Sequence, residues 1–157
     1  LGIPRASAGG GCQETVVLSS RVRGEAHEAA KVHAAIAEEI STTGNPVETP
    51  VIVLSGGETT VTLGDDYGRG GPNQEFVLSG ALESSVPAVV AAVDTDGIDG
   101  ATDAAGAIVD TNMVNAATAS DALSRNDAFP FLENTDDLVR TGATGTNVND
   151  LRILVIE

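Results

Sequence analysis

The chain has 157 residues, 41% of them hydrophobic and 3% aromatic, which is enough for one domain with a core of Ala, Val, Leu and Ile. Its 23 acidic and 8 basic residues give a net charge of −15, which argues against the basic surface that nucleic-acid binding requires. No run approaches the ~20 apolar residues of a membrane span, and the scattered acidic residues with a single cysteine indicate a cytoplasmic, halophilic protein.

The first half of the chain opens with a glycine-rich segment at residues 1–14, predicted to be a lead-in or the end of a linker. A single domain is expected over residues 15–157. Its first predicted elements are a strand at 15–19, a helix at 24–41, a strand at 50–54 and a possible edge or antiparallel strand at 59–63. His33 falls on the apolar stripe of the helix and is expected to be a core residue rather than a ligand.

The second half alternates helices with apolar runs. A helix at 71–84 begins with Gly71 as its N-cap and Pro72 at its first helical position. The remaining elements are a strand at 87–93, an ambiguous segment at 104–109, helices at 111–124 and 127–134, and a strand at 151–156. This order predicts an α/β fold, a layered sandwich with a mixed, largely parallel sheet flanked by helices.

Four polar loops border the predicted strands, and each is rich in Gly, Asn, Asp or Thr. Loop one is 55–60, loop two is 68–75, loop three is 94–100 and loop four is 141–150. Any one of them could be only a turn, because turns use the same residues. Four such loops in one α/β chain favour a shared edge of the sheet where a small anion binds.

Loops one and four contribute different chemistry to this predicted edge. In loop one, Gly56 and Gly57 allow a ligand to approach the backbone closely, and Glu58 is a possible acid. Loop four offers uncharged donors to phosphate oxygens or a small polyol, at Thr144, Thr146, Asn147 and Asn149. Asp150 is expected to order loop four.

Arg69 is one of the few basic residues, and it lies in the glycine-rich turn of loop two, directly before a predicted helix. Helix N-termini attract phosphates and carboxylates, and an arginine adds a bidentate contact. Gly70 and Gly71 would admit the ligand, and Asn73 and Gln74 could donate further hydrogen bonds. The alternative is a surface arginine paired with Asp65 or Asp66.

Loop three carries the acidic residues Asp94, Asp96 and Asp99, and Asp103 follows just beyond it. Clustered carboxylates can bind Mg²⁺ or accept the proton of a substrate hydroxyl. The spacing does not match an EF-hand, because Ile98 stands where an oxygen ligand is required. The same aspartates could instead form Asx-turns and a helix cap.

Several familiar site motifs are missing from the sequence. It contains no Walker-type phosphate loop, no dinucleotide fingerprint after a strand, no nucleophile elbow and no paired Cys or His metal site. Nothing in the chain therefore predicts a nicotinamide cofactor.

The four loops together resemble the MOFRL domain, the C-terminal domain of the glycerate 2-kinase family, whose members are often labelled hydroxypyruvate reductases. The resemblance runs from about Val16 to Ile156. It is carried by Val53–Val61, Gly68–Phe76, Thr95–Gly100 with Thr102–Ala107, and Thr144–Leu151.

The resemblance implies a kinase that uses ATP and Mg²⁺ to phosphorylate D-glycerate at its 2-hydroxyl, in a cleft between two domains. Arg69 and Asp96 would be catalytic, and Asp96, Asp99 and Asp103 would be the metal candidates. The implied substrate and phosphate contacts are Gly56, Gly57, Glu58, Gly70, Gly71, Asn73, Gln74, Thr144, Thr146, Asn147 and Asn149. The implied partner is the family's N-terminal Rossmann-like domain, which has no counterpart in this sequence, so the chain is expected to be inactive alone.

Two other functions stay open at this point. One is an NAD(P)H-dependent hydroxypyruvate reductase, which the missing dinucleotide fingerprint disfavours. The other is a non-catalytic binding or assembly module, or a split-gene fragment.

Overall fold

The computed structural model describes residues 14–157, so residues 1–13 of the lead-in predicted for 1–14 lie outside the described part, while Glu14 belongs to the first strand. In chain order the elements are β1 (Glu14–Val22), α1 (Ala26–Thr43), β2 (Val51–Gly57), α2 (Pro72–Glu83), β3 (Ala88–Asp94), β4 (Gly106–Asp110), a 3₁₀ turn (Thr111–Met113), α3 (Ala116–Ser124), α4 (Ala128–Asn134), β5 (Leu138–Val139) and β6 (Asp150–Ile156). None of the helices within these residues is both long and apolar enough to cross a bilayer.

The predicted α/β class and mixed sheet are confirmed, with six strands in the order β1-β2-β6-β3-β4-β5. The sheet is less parallel than the sequence predicted, because among the described pairings only β1 and β2 run parallel. β6 inserts antiparallel between β2 and β3, and β4 and β5 each run antiparallel to their inner neighbour. A C-terminal strand that enters the middle of a sheet cannot be located from its own sequence.

The helices cover one face of the sheet. α1 and α2 pack against each other, and their apolar side chains share a single core with the inward residues of the strands. Phe76 and Leu78 of α2 lie in that core with Val53, Val90 and Leu154. The alternating burial along β2, β3 and β6 follows directly from this one-sided cover.

The opposite face of the sheet carries an apolar row that no element of residues 14–157 covers. Val17, Leu54, Ile153, Ala91 and Ile108 pair in turn across five neighbouring strands. Val17 and Ile108, at the two ends of the row, are 45% and 48% exposed. We call these five residues the open face.

Most predicted elements form close to the expected bounds, two differ and one strand was not predicted. The possible strand at 59–63 forms only one isolated bridge, between Glu25 and Thr60. The helix expected from residue 111 begins at Ala116, because the side chain of Asn115 caps it by accepting a hydrogen bond from Thr118 N–H. The short strand β5 is not apparent from the sequence, since it has only two residues.

Candidate functional site

The four polar loops meet at one edge of the sheet, as the sequence predicted. β2 and β3 both end there, and β6 begins there, because Asp150 pairs with Gly57 on one side and with Asp94 on the other. Loops one, three and four therefore leave the sheet at the same level. Loop two joins them through the first turn of α2.

Loops three and four are fastened to each other by side chains that the sequence marked as ligand contacts. The Thr144 hydroxyl donates to the Thr95 carbonyl (2.5 Å) and the Thr144 N–H donates to the Asp96 carbonyl (3.0 Å). The Asn147 amide donates to the Asp96 carboxylate (3.1 Å). Thr146 and Asn149 lie exposed beside these contacts.

A buried polar network holds loops one, two and three around the start of β6. Asp150 accepts hydrogen bonds from the Asn73 amide (2.8 Å) and from Thr59 N–H (3.2 Å). Arg152 donates from Nη2 to both Asp150 (2.5 Å) and the Thr59 hydroxyl (2.8 Å). Asn73 also donates to Asp99 (3.1 Å), so the Asp150 carboxylate is connected to loop one through Thr59, to loop two through Asn73 and, by way of Asn73, to loop three.

The N-terminus of α2 is occupied by the chain's own carboxylate rather than open to a ligand. Asp99 accepts hydrogen bonds from the backbone N–H groups of Asn73 (3.0 Å) and Gln74 (2.9 Å). Both residues are buried, and the Gln74 amide donates to Thr102 (2.9 Å). The donors of Asn73 and Gln74, which the sequence predicted as ligand contacts, are thus engaged within the described fold, the backbone N–H groups by Asp99 and the side-chain amides by Asp99, Asp150 and Thr102.

The glycines predicted as ligand contacts in loops one and two differ in what a Cβ atom at each position would contact. A Cβ at Gly71 would collide with the Asp99 carboxylate, and a Cβ at Gly57, whose φ is 134°, would collide with the Val22 carbonyl. These two glycines therefore allow close packing within the chain rather than the approach of a ligand. A Cβ at Gly70 would make only ordinary contacts, the nearest at 3.5 Å from Ala128 N.

Gly56 and Glu58 are the two neighbours of Gly57 in loop one. A Cβ at Gly56 would lie 3.3 Å from the Asp150 carbonyl oxygen, which is tight but adjustable. Glu58 donates its backbone N–H to the Val22 carbonyl (2.9 Å), and its residue is exposed at the loop edge. Its carboxylate is therefore accessible at the edge of the sheet.

Burial shifts the ionisation of the network. It raises the pKa of Asp99 to about 6, against the opposing hydrogen bonds from Asn73 and Gln74. It lowers the pKa of the Arg152 guanidinium, which Asp150 counteracts. His33, which bonds the Ala29 carbonyl (2.7 Å) and the Ser55 hydroxyl (2.8 Å), has its pKa lowered by burial and is a core residue, as predicted.

Arg69 lies at the exposed end of the site, next to a second arginine. Its guanidinium carbon is 3.9 Å from the centre of the Phe129 ring, and its Nη2 is 3.7 Å from Oδ1 of Asp103. Arg140 approaches the same carboxylate, with Nε 3.3 Å from Oδ2. The ion pair of Arg69 therefore forms with Asp103, not with Asp65 or Asp66.

Asp96, Asp99 and Asp103, the metal candidates, each have different partners. Asp99 caps α2, Asp103 faces the two arginines, and Asp96 accepts from Ile98 N–H (2.9 Å) and Asn147. Within residues 14–157 no group of three or more His, Cys, Asp or Glu side chains is placed to hold a metal ion. The alternative of an Asx-turn and a helix cap describes Asp96 and Asp99, while Asp103 pairs with the arginines instead.

A pocket of about 320 Å³ adjoins Arg69. Gly70, Gly71 and Gly100 form part of its wall, and Leu63 and Tyr67 add apolar surface. This volume is at the small end of the range for small-molecule sites. Arg69 therefore lines a cavity whose size suits a small organic ligand.

Residues 51–150, which include all four loops, match the MOFRL family model. The chain belongs to the MOFRL family. A glycerate 2-kinase of Pyrococcus horikoshii is 39% identical over 146 residues, and an Agrobacterium vitis protein with the provisional name hydroxypyruvate reductase is 45% identical over 149 residues. They align with 89% and 90% of this chain, which spans 33% and 39% of their own lengths.

The fold of this MOFRL chain also matches a solved structure. The crystal structure of a glycerate kinase from Thermotoga maritima superposes with a TM-score of 0.86 at 36% identity, over 92% of this chain and 36% of the other. The match extends the family assignment from sequence to three dimensions. The chain thus corresponds to about a third of longer proteins.

Sequence reasoning missed Arg140 and Arg152. Arg152 had a visible signal, since it is a charged residue two positions after Asp150 in an otherwise apolar strand, where side chains at i and i+2 share a face. Arg140 directly precedes loop four, but its proximity to Arg69 depends on the packing of α4 and β5. Only the assembled fold brings Arg140 and Arg69 together.

Proposed function

We propose that this MOFRL chain is the C-terminal domain of an ATP-dependent glycerate 2-kinase and forms one wall of an interdomain active site. The observation that carries the proposal is the exposed Arg69 at the edge where all four loops meet. The proteins it resembles over a third of their length include several named glycerate 2-kinases. D-glycerate and ATP are the proposed substrates.

Arg69 would stabilise negative charge on the phosphoryl group during its transfer. Phosphoryl transfer depends mainly on positioning and on neutralising charge, and a guanidinium supplies both through paired N–H donors. The guanidinium of Arg69 packs against the buried Phe129 ring, while the Arg69 side chain as a whole stays 52% exposed. This accessibility is what a contact to an incoming substrate requires.

Asp96 is the proposed acceptor for the proton of the 2-hydroxyl group. Its carboxylate is fixed by Ile98 N–H and by the Asn147 amide at the shared edge. Glu58, Gly70, Thr146 and Asn149 are the proposed lining residues toward the substrate, with Gly56, Gly57, Gly71 and Thr144 shaping the loops behind them. Among residues 14–157 no group of carboxylates is placed to fit a Mg²⁺ site, so no step is assigned to the metal here.

The proposed partner is the remaining part of a longer family member, the N-terminal glycerate kinase domain. The chain spans 33% to 39% of the relatives it matches, which leaves ample length for a second domain. We also propose a cytoplasmic setting rich in salt, on the net charge of −15.

A chimera tests the proposed function. Residues 14–157 would replace the matching third of the Thermotoga maritima D-glycerate 2-kinase, and ADP release would be measured with D-glycerate and ATP. We expect turnover above that of either part alone. A folded chimera with no ADP release would contradict the proposal.

In that chimera, Arg69→Ala should lower kcat/KM at least about a hundredfold, because one charge-stabilising donor is typically worth that much. The comparison variant is Arg21→Ala, an exposed arginine on the edge strand β1, which lies at the opposite end of the strand order from β4 and β5, and it should leave activity unchanged. Near-normal turnover of the Arg69 variant would remove that residue from the mechanism.

A hydroxypyruvate reductase is the second candidate, favoured by the provisional name of the Agrobacterium vitis relative. The same chimera can be supplied with hydroxypyruvate and NADH or NADPH, and cofactor absorbance followed. Oxidation of the cofactor without ADP release would replace the kinase proposal with this one.

A further inference from the structure

We propose that Arg140 joins Arg69 in a two-arginine site for a phosphoryl group, and that Asp103 is the internal anion which the phosphoryl group displaces. The two oxygens of Asp103 face different arginines, Oδ1 toward Arg69 Nη2 (3.7 Å) and Oδ2 toward Arg140 Nε (3.3 Å). One carboxylate thus bridges two guanidinium groups. An oxyanion placed between them would meet donors from both sides.

Phe129 keeps the two cations together. The guanidinium carbons of Arg69 and Arg140 lie 3.9 Å and 5.6 Å from the centre of its ring. The ring is 1% exposed, and Phe129 N–H donates to the Arg69 carbonyl (2.9 Å), so this aromatic support is rigid. Two like charges held at one ring favour an anion between them.

Glu133 fixes the orientation of Arg140. It accepts a hydrogen bond from Arg140 Nη2 (2.8 Å), which leaves the Nε edge of the guanidinium directed at Asp103. The carboxylate groups facing the two arginines are therefore those of Asp103 and Glu133, while Asp127 accepts from the Arg69 backbone N–H (2.8 Å).

The ion pairs of Asp103 with the two arginines are weak enough for a phosphoryl group to displace its carboxylate. Its side chain is 65% exposed, and the 3.7 Å separation from Arg69 exceeds hydrogen-bonding distance. Exposed ion pairs of this kind add little stability. A phosphoryl group offers three oxygens and more charge than a carboxylate, so it can satisfy both guanidinium groups at once.

Titration of the chain with inorganic phosphate at constant ionic strength tests the site without any turnover. The Nε–H resonances of the arginines, observed with ¹⁵N labelling, report directly on each guanidinium. We expect saturable shifts at Arg69 and Arg140, and none at Arg21 on β1. Shifts of equal size at all arginines, or no saturable shift, would overturn the proposal.

Three variants separate the site from general charge effects. Arg140→Gln should weaken phosphate binding at least about tenfold, as expected for loss of a charge-assisted hydrogen bond, while Arg21→Gln removes the same charge elsewhere and should have no effect. Asp103→Asn should strengthen binding about threefold or more, because the competing carboxylate is neutralised. Unchanged or weaker binding in Asp103→Asn would refute the role of Asp103.

The use of this site in catalysis depends on the proposed kinase function, but its existence does not. Titrations with ATP and with 2-phosphoglycerate distinguish a nucleotide phosphate from a product phosphate as the natural source. Phosphate binding in a chain whose chimera releases no ADP would keep the site and reject the kinase. An active chimera whose Arg140→Gln variant matches the parent would keep the kinase and reject the site.

Discussion

Arg152 and Asp150 form an ion pair inside the sheet that connects the loops to the core. Arg152 is 0% exposed, and its Nε and Nη1 have no hydrogen-bond partner among the described residues. Its guanidinium lies 5.1 Å from the Phe76 ring, which offers an aromatic face to the charge. Such a buried pair is costly to form and more costly to break, because a lone buried charge loses its compensation.

Arg152→Met should destabilise the chain by about 3–5 kcal/mol, since it leaves the Asp150 carboxylate buried without its cation. Chemical denaturation measures this loss. Asp150→Asn added to that variant should restore part of the stability, because the remaining amide oxygen still accepts a hydrogen bond without carrying charge. A loss below about 1 kcal/mol in the single variant would contradict this account of the pair.

Asp99 makes the stability of the chain depend on pH. Its pKa of about 6 in the folded chain lies above the usual value of 3.8, so the folded chain holds the proton more tightly than the unfolded chain. Its contribution to stability is therefore present below pH 4 and is lost as pH rises toward 6, by an amount on the order of 3 kcal/mol.

The test compares wild type with Asp99→Asn, whose side chain does not titrate. The variant is expected to be less stable at every pH, because it loses acceptor capacity at the start of α2. Between pH 4 and pH 8 the wild type should lose more stability than the variant. Parallel stability curves for the two proteins would mean that Asp99 titrates normally.

The start of α2 is a packed junction of loops two and three. Gly71 is its N-cap and Pro72 its first helical residue, as the sequence predicted. The Asp99 carboxylate lies directly against Gly71, because it must reach the N–H groups of the first turn. The helix and loop three therefore constrain each other, and that constraint positions Arg69 just before the helix.

Gly71→Ala should destabilise the chain by about 1–3 kcal/mol, the usual cost of overpacking, because its Cβ would collide with Asp99. Gly64→Ala provides the comparison, since a Cβ there meets nothing within 4 Å. Thermal or chemical unfolding should place the Gly64 variant within about 0.5 kcal/mol of wild type. Equal effects of both substitutions would mean that the junction tolerates movement.

The molecule as a whole combines a strongly acidic surface with an apolar row across one face of the sheet. The net charge is −15, yet the five residues of the open face are all apolar. Helices shield the opposite side of the sheet, so apolar surface concentrates on this side. Contiguous exposed apolar surface of this kind binds hydrophobic probes.

The chain should therefore enhance the fluorescence of a neutral dye such as Nile red, which its negative charge does not repel. Val17→Thr, at the edge of the open face, should reduce that signal without harming the strand, because threonine is favourable in strands. Val32→Thr makes the same change at a residue of α1 that is 59% exposed and outside the open face. Equal reductions by both variants would show that the dye binds elsewhere.

Elements that depend on local patterns were predictable. The apolar runs of β2, β3 and β6, the stripe of α1 and the Gly71–Pro72 start of α2 all have signals within a few neighbouring residues. The meeting of the four loops also followed, because such loops lie at strand ends. The partners of Asp99 and Asp103 were not predictable, because Asp99 caps α2 and Asp103 pairs with Arg140, and both contacts join residues far apart in the sequence.

The sequence by itself determined the α/β class, the helices and strands with strong periodicity, the family resemblance and the importance of the loop edge, since each depends on residues close together in the chain. The tertiary structure alone decided the antiparallel insertion of β6, the capping of α2 by Asp99 and the pairing of Arg69 with Arg140 around Asp103. These contacts join residues far apart in sequence, and their free energy depends on burial and distance that no local pattern encodes.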